Sequence, residues 1–313
     1  MSLLSAIKRA VPESVKQLAR GARPEYRLAR ALSRHLPKVT CIDVGASYYP
    51  HIKWRVLLES PQTHWVAVEP NKANIEYVQS WAYPSEVTAI TTGLSERGEA
   101  QTLYVTHVDS GSSLLEPVVA PSMKHRVLNL DYFFPLREVQ IETLTLADVI
   151  ARSPVDTPVF VKLDTQGTEL SILRGAARYL EEHRIVGIEM EATLLAQPVM
   201  SGSGKFWQAC SYLEDRGFEL LHVKPIPGLS RFGKPEPRGN RYLNECDAVF
   251  ALRRDVAATL PVNARTALGA FYLCNFLFEE AYALLEGDDE VRESLRASGC
   301  DTVALMALLR HLA

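Results

Sequence analysis

The sequence predicts an α/β fold: a mostly parallel central sheet with helices on both faces, followed by an all-helical cap at the C-terminus. Between residues 37 and 256, runs rich in β-branched and aromatic residues alternate with segments of helical spacing. Such alternation favours parallel strands joined by right-handed crossovers. From Pro261 onward only helical spacing remains. We therefore predict an N-terminal helical segment at 1–36, an α/β domain at 37–256 and a helical extension at 257–313.

The first half of the α/β domain begins with two predicted strands. Val39–Val44 and Trp65–Glu69 carry the branched and aromatic side chains typical of buried strands, and helical spacing at Ile52–Leu58 joins them. The next predicted elements are a helix at Asn74–Trp81, a strand at Val87–Thr91, and strands at Gln101–Val105 and Val139–Thr143 that flank an irregular insertion from Thr106 to about Glu138.

The second half is organised around the stretch from Pro158 to Ala176. Val159–Val161 is typical of a short buried strand, and a turn containing Gly167 leads from it into a helix. The remaining predicted elements are helices at Leu146–Ala151 and Phe206–Arg216, strands at Ile185–Met190, Phe218–Val223 and Asp247–Leu252, and C-terminal helices at Asn263–Glu286, Glu290–Ala297 and Asp301–Leu312.

The N-terminal segment has apolar residues at helical spacing among scattered basic residues. Packing of this apolar stripe on the protein body is the favoured interpretation. Peripheral contact of residues 1–22 with an anionic membrane is the alternative. No apolar run approaches the ~20 residues of a membrane-spanning helix, and the N-terminus lacks the continuous apolar core of an export signal.

Charge and cysteine content narrow the class of protein. The net charge of -3 gives no overall attraction to nucleic acid, so nucleic acid is not an expected partner. The cysteines are scattered and form no CxxC pair. This pattern favours reduced thiols and argues against structural zinc. We expect a cytoplasmic protein without a metal site.

Three polar features are predicted to meet at the carboxyl edge of the sheet, where open α/β sheets bind ligands. Asp43 lies near the end of the first strand, and Gly45 comes directly after it. A glycine at this position lets backbone amides approach a ligand. Glu69 ends the second strand, where a carboxylate can accept both hydroxyls of a ribose. Asp164 follows the strand at Val159–Val161 and is either a site residue or a cap of the next helix.

The residues that follow the first predicted strand argue against a nicotinamide dinucleotide as cofactor. A dinucleotide site seats a pyrophosphate with GxGxxG, whereas this chain offers GASYYP, with Tyr48 and Tyr49 in place of further glycines. A cofactor with a ribose but no pyrophosphate fits better, and S-adenosylmethionine is the obvious candidate.

Several motifs together resemble the FkbM-type methyltransferase family. They are IDVGAS (42–47), VAVEPN (66–71), LSERGEAQTLYV (94–105), VQIETLTLADVI (139–150) and VKLDTQGTELSILRGA (161–176). The last, K-x-D-x-Q-G-x-E-x-x-x-L-x-G-A, is specific, and the resemblance covers about Thr40 to Met190. It implies a Rossmann-like class I methyltransferase sheet, S-adenosylmethionine as methyl donor, and a hydroxyl acceptor on a sugar or polyketide.

The resemblance also implies which residues bind the cofactor. They are Asp43, Gly45, Ser47, Glu69, Ser113 and Asp164. Asp43 and Gly45 would contact the methionine end, Glu69 the ribose, and Ser113 and Asp164 the adenine or the methyl group. Relatives commonly have Asn and a further Gly after DVGA, where this chain has Ser-Tyr-Tyr at 47–49.

Methylation of a hydroxyl also requires a group that accepts its proton. Asp164 is the first candidate, with a structural role, holding Lys162 or capping the helix, as the alternative. His107, at the start of the insertion, is the second candidate, although a lone histidine is more often structural. Glu189 and Glu191 flank the end of the next strand, and we expect one of them to face the site. No spacing of these acids is diagnostic of a metal.

The acceptor is expected to contact a loop rich in Pro, Gly and Arg between Lys224 and Asn244. Our hypothesis is that Glu191, Arg231 and Arg238 bind the acceptor, and that the two arginines recognise a phosphate or another acidic group on it. A solvated charged loop is the alternative.

The predicted function is therefore O-methylation of a hydroxyl on a sugar, a glycan or a related secondary metabolite, with S-adenosylmethionine as donor. One alternative is a nicotinamide-dependent oxidoreductase or epimerase on a Rossmann-like sheet, against which the missing GxGxxG argues. The other is a non-catalytic methyltransferase-like binding protein, against which the retained Asp43, Glu69 and Asp164 argue.

Overall fold

The computed structural model describes residues 28, 32–47, 50, 52–80, 83–120, 123, 130–154, 156–227 and 243–313. Several predictions concern residues outside these ranges. They are most of the N-terminal helical segment with its membrane contact at 1–22, the pair Tyr48 and Tyr49, and the acceptor contacts of Arg231 and Arg238.

The chain alternates between strands and helices before it becomes purely helical. The strands are β1 (Val39–Val44), β2 (Thr63–Val68), β3 (Glu86–Ile90), β4 (Gly93–Leu94), β5 (Gln101–Thr106), β6 (Pro135–Ile141), β7 (Thr143–Leu144), β8 (Val159–Leu163), β9 (Ile185–Thr193), β10 (Phe218–Pro227) and β11 (Leu243–Leu252). The helices are α1 (Ile52–Leu58), α2 (Lys72–Gln79), α3 (Leu146–Ala151), α4 (Glu169–Arg174), α5 (Ala177–Glu181), α6 (Phe206–Glu214), α7 (Arg254–Ala257), α8 (Val262–Cys274), α9 (Phe278–Gly287), α10 (Asp289–Ala297) and α11 (Thr302–Leu312).

A seven-stranded sheet forms the centre of the molecule, with the strand order β10-β11-β9-β8-β1-β2-β3. The pairs from β9 through β8, β1 and β2 to β3 are parallel, whereas β11 runs antiparallel to both of its neighbours. Helices follow β1, β2, β8 and β9, as crossovers between parallel strands require. The predicted α/β class with a mostly parallel sheet and C-terminal helices is confirmed.

The insertion is more regular than the sequence predicts. Strand β6 begins at Pro135 and pairs antiparallel with β5 as a separate two-stranded sheet. Residues that precede β6 in the chain form a small apolar cluster with the segment that follows β9. Its buried members are Met123, Leu130, Leu195 and Val199. The predicted irregular stretch to about Glu138 therefore ends a few residues earlier.

The long helix predicted from Asn263 to Glu286 is in fact two helices. Helix α8 ends at Asn275, whose backbone N–H donates to the carbonyls of Phe271 and Tyr272 and whose side-chain amide also donates to the Phe271 carbonyl. Phe276 then takes a φ of 59°, which is incompatible with a continuing helix. Helical periodicity did not reveal this break because the apolar spacing continues across it.

The C-terminal helices share one hydrophobic core with the sheet. The Phe271 ring of α8 lies 5.3 Å from the ring of Phe160 on β8 and 6.0 Å from that of Trp54 on α1, measured between centroids. It packs directly over Gly187 on β9. Helix α8 thus covers part of one face of the sheet. In the described residues, no helix has the length and apolar character needed to cross a membrane.

Gly187→Ala is expected to destabilise the protein by about 1–3 kcal/mol, because overpacking a filled core forces side chains or backbone to shift. A Cβ at this position would lie 2.6 Å from the Phe271 ring. Denaturant unfolding of the variant measures the change. Gly287→Ala is the matched control, since a Cβ there meets nothing within 4 Å. Equal stability of the two variants would contradict the tight contact between cap and sheet.

Candidate active site

A buried carboxyl holds together the turn that follows β8. Glu169, the first residue of α4, accepts hydrogen bonds from the backbone N–H groups of Thr165 (2.9 Å) and Gly167 (3.1 Å) and from the Thr165 hydroxyl (3.1 Å). The turn contains positive φ angles at Gln166 (58°) and Gly167 (107°). Burial raises the pKa of Glu169, and the backbone N–H groups oppose that rise. Glu169 therefore fixes the turn on which Asp164 lies.

The turn after β1 packs directly against the turn after β8. Gly45 has a φ of 80°, and a Cβ built on it would overlap the carbonyl oxygen of Asp164. The N–H groups of Gly45 and Ala46 both donate to the carbonyl of Val68, at 3.0 and 3.3 Å, and the N–H of Ser47 donates to the Gly45 carbonyl at 2.8 Å. Only glycine satisfies both the backbone angle and the contact.

Between these two turns and the end of β2 lies a cleft of about 270 Å³. It opens at the carboxyl ends of the parallel strands, where α/β sheets bind their ligands. The predicted site residues that line it are Gly45, Ser47, Glu69, Ser113, Asp164 and Glu191. The Ser47 hydroxyl is buried and has no hydrogen-bond partner in the part of the chain that the structure describes.

Glu69 lies at the end of β2 with its side chain largely buried in the cleft wall. Its Oε1 accepts a hydrogen bond from the N–H of Asn71 at 2.8 Å. Burial raises the pKa of Glu69 to about 7; the Asn71 N–H opposes the rise, and the carboxylates of Asp109, Asp43 and Asp164 add to it. The charge of Glu69 therefore changes near neutral pH.

Asp109 is a cleft residue that the sequence did not identify. It begins a short 3-10 turn in the insertion, and its Oδ2 lies 3.4 Å from the side-chain nitrogens of both Asn71 and Asn74. These contacts join the insertion to the start of α2. The apolar residues that line the same cleft include Leu94, Leu103 and Leu114. Nothing in the local pattern marks Asp109, because its position depends on how the insertion folds back.

The structure places Asp43 below the cleft, not in its wall, and this corrects its predicted contact with the cofactor. Asp43 lies one residue before the end of β1, so its side chain points onto the face of the sheet and is buried there. It is the register partner of Lys162 on β8, whose Nζ donates to Asp43 Oδ1 at 3.2 Å. Lys162 also lies 3.7 Å from Asp164 Oδ2. Both predicted roles of Asp164, facing the cleft and holding Lys162, are thus combined.

Glu189 and Glu191 are two residues apart on β9, so both point to the same face of the sheet. Strand alternation therefore does not distinguish the two residues, and their depth decides which of them reaches the cleft. Glu189 is held deeper, by Lys53 Nζ at 2.6 Å and by the Trp54 indole N–H. Glu191 reaches the cleft, where the Gln166 side chain donates to its Oε2 at 3.0 Å. Burial, and then the nearby carboxylates, raise the pKa of Glu191 well above its usual range.

The other two predicted residues of the insertion have different environments. Ser113 is buried, and its hydroxyl donates to the carbonyl of Gln166 at 3.0 Å, which attaches the insertion to the turn after β8. His107 is exposed and does not line the cleft. Of the two candidates for the general base, the structure therefore brings Asp164 to the cleft and leaves His107 outside it, where the His107 backbone N–H donates to the carbonyl of Phe134.

Comparison with known families matches residues 43–220, more than half of the chain, to the methyltransferase FkbM domain. The chain belongs to the FkbM methyltransferase family. The match confirms the resemblance that the motifs predicted and makes this FkbM-family protein a methyltransferase, for which S-adenosylmethionine is the methyl donor.

Solved structures similar to the FkbM-family chain are also methyltransferases. One is precorrin-6y C5,15-methyltransferase from Geobacter metallireducens, with 14% identity over 73% of this chain and 89% of that chain, and a TM-score of 0.33. Another is a TehB-like SAM-dependent methyltransferase from Corynebacterium glutamicum, with 13% identity over 77% of this chain and 95% of that chain, and a TM-score of 0.30. No curated protein matches the chain. Because these TM-scores are low, the family assignment rests on the domain match.

The cleft of the FkbM-family chain fits S-adenosylmethionine. Glu69 presents a carboxyl at the end of β2, where a ribose is expected. The unpartnered hydroxyl of Ser47 is a buried polar group that a ligand would satisfy. The half-exposed carboxyl of Asp164 lies in the wall of the same cleft. These residues supply polar contacts, and the N–H groups of Gly45, Ala46 and Ser47, the described start of the first turn, are bonded within the fold and not directed at a pyrophosphate.

Gly45→Ala in the FkbM-family chain is expected to displace the Asp164 turn, because its Cβ would overlap the Asp164 carbonyl oxygen. Isothermal titration calorimetry should show at least a tenfold loss of S-adenosylmethionine affinity, about 1.4 kcal/mol. Gly202→Ala is the matched control: its φ of 79° is nearly the same, but a Cβ there has nothing within 4 Å. Equal affinities of the two variants would show that the close contact of Gly45 with Asp164 does not control cofactor binding.

Proposed function

We propose that the protein transfers the methyl group of S-adenosylmethionine to a hydroxyl oxygen of a sugar, a glycan or a related secondary metabolite. The observation that supports this proposal is the position of Asp164. Its carboxyl, 48% exposed, lies in the same cleft as Glu69, and Lys162 is 3.7 Å from it on the buried side. A carboxylate that is exposed to the cleft can come within hydrogen-bond reach of the hydroxyl of an acceptor bound there, as a general base must.

Each cleft residue has a distinct task in this proposal. Glu69 would hold the ribose hydroxyls, and Ser47 would contact the methionine end. The sulfonium of the bound donor supplies an electrophilic methyl group. Asp164 would accept the proton of the acceptor hydroxyl, while Gln166, which contacts both Asp164 and Glu191, orients the two carboxyls. Much of the rate acceleration would come from holding the acceptor oxygen in line with the methyl group.

Glu191 is the described residue best placed to bind the acceptor. It lines both the cofactor cleft and a small cavity beyond it that Phe133 and Met200 also line. Burial and the nearby carboxylates raise its pKa and so favour the protonated carboxyl, which can donate a hydrogen bond to an acceptor oxygen. Recognition of a phosphate by Arg231 and Arg238 stays a prediction, which acceptor titrations of Arg231→Ala and Arg238→Ala would test.

The first experiment is a direct comparison of cofactors by calorimetry, with S-adenosylmethionine against the nicotinamide dinucleotides. We expect binding of the former alone, because the N–H groups of Gly45 and Ala46, which a pyrophosphate would need, already donate to the carbonyl of Val68. A methyl-transfer screen over nucleotide sugars and oligosaccharides then identifies the acceptor. Binding of the donor without transfer to any acceptor would favour the non-catalytic alternative.

Glu69→Ala is expected to weaken S-adenosylmethionine binding by about 1–3 kcal/mol, the cost of leaving buried hydrogen-bonding groups unpaired. Because the pKa of Glu69 is about 7, the wild-type affinity should rise with pH as the carboxyl ionises and becomes a pure acceptor for the ribose hydroxyls. Titrations at several pH values should show this rise in the wild type and a flat profile in Glu69→Ala. Glu76→Ala, on the exposed side of α2, is the control and should bind S-adenosylmethionine as the wild type does. If the affinity of Glu69→Ala still depends on pH, the ionisation belongs to another group.

Asp164→Asn is expected to lower turnover by about 10²–10⁴-fold, the usual contribution of a general base. The amide keeps the size of the side chain, so the affinity for S-adenosylmethionine should change little. Single-turnover methyl transfer and calorimetry separate the two effects. Asp255→Asn, at an exposed ion pair with Arg253, is the control and should retain full turnover. Normal turnover in Asp164→Asn would leave this carboxyl with only its structural role.

A further inference from the structure

Four titratable side chains form a row beneath the cleft, and the proposed reaction uses none of them directly. Asp43, Lys162 and Glu189 are neighbours in register on β1, β8 and β9, so their side chains project from the same face of the sheet. Lys53 of α1 extends the row by its contact of 2.6 Å with Glu189. The exposed fractions of these side chains range from 5% for Asp43 to 16% for Lys162.

The charges in this row alternate in sign. Desolvating two pairs of charges is costly, and such pairs are often no more stable than apolar packing. Stability alone therefore does not explain the presence of these charges in the core. Burial alone lowers the pKa of Lys162, but Asp43, Asp164 and Glu189 more than reverse this effect, so the ammonium stays charged.

Lys162 is the link between the buried row and the cleft. Its Nζ lies 3.2 Å from Asp43 Oδ1 and 3.7 Å from Asp164 Oδ2. The other ionisable groups that act on Asp164 come from β1, the end of β2, α4, β9 and β11. They are all carboxyls: Asp43, Glu69, Glu169, Glu191 and Glu245. Among the described residues, Lys162 is the cation in contact with Asp164, and its positive charge opposes the negative charges of these acids at that carboxyl.

The far end of the row is held by the C-terminal cap. Lys53 Nζ donates to the side-chain oxygen of Asn275 at 3.1 Å, and Asn275 lies at the break between α8 and α9. This residue is outside the segment 43–220 that defines the family domain. The row therefore runs from the cap to the edge of the cleft.

We propose that Lys162 is a positioning residue for methyl transfer, which orients the Asp164 carboxylate toward the cleft and sets a positive potential at it, while Asp43 competes for the same ammonium and limits this effect. Glu189, Lys53 and Asn275 hold Lys162 in place from below. The proposal rests on the proposed function through the role of Asp164 as base.

A cysteine thiol at position 164 would report the electrostatic effect of Lys162 and Asp43 at that position without any methyl transfer. In an Asp164→Cys background, the rate of alkylation by iodoacetamide is followed against pH, with mass spectrometry of the peptide that contains residue 164. Lys162→Met is expected to raise the pH of half-maximal reactivity by about one unit, because a nearby cation favours the thiolate. Asp43→Asn is expected to lower that pH, because it frees the ammonium. Lys72→Met, which breaks an exposed pair with Glu76, should leave it unchanged.

Shifts of the same sign in Lys162→Met and Asp43→Asn, or no shift in either, would overturn the proposal. Circular dichroism checks that each variant is folded, and if Lys162→Met does not fold, the direction of the Asp43→Asn shift decides. With Asp164 intact, Lys162→Met should lower kcat more than it changes KM for the acceptor and move the acid limb of the rate profile to higher pH. Failure of the transfer screen would sink the proposed function alone, since the thiol titration needs no acceptor.

Discussion

The site depends on the contact between two backbone turns on adjacent strands. Because β1 and β8 are hydrogen-bonded in parallel register, their carboxyl ends arrive side by side, and Gly45 meets the Asp164 carbonyl without an intervening side chain. The positive φ of Gly45 and the buried Glu169 fix the two turns against each other. The cleft is therefore shaped by backbone geometry before any side chain lines it.

The carboxyl groups around the cleft differ in how deeply they are buried, and their contacts differ accordingly. Glu169 is buried among backbone N–H groups and closes a turn. Asp43 is buried beside an ammonium and balances charge. Asp164 and Glu69 remain accessible from the cleft and can meet a ligand. Since a carboxyl bonded to several protein donors has little capacity left for a ligand, the accessible pair keeps the greater capacity to bind one.

Sequence patterns predicted some features of the fold and of the site and missed others, because each pattern carries only one kind of structural information. Strand and helix periodicity, with turn glycines, located the sheet and placed Glu69 and Asp164 at strand ends, which is where the cleft lies. The same spacing gives position along a strand but not depth, so Asp43 was placed in the cleft although its side chain lies under it. Asp109 and Asn275 depend on tertiary folding of the insertion and the cap, and local patterns do not encode either contact.

The antiparallel strand β11 lies between β9 and β10, although it comes after both in the chain. The segment that defines the family starts within β1 and stops within β10, so it omits the strand that joins β10 to the rest of the sheet. What sequence comparison recognises is hence smaller than the sheet itself. A fragment cut to residues 43–220 would leave β9 and β10 each with an unpaired edge on the side where β11 now lies.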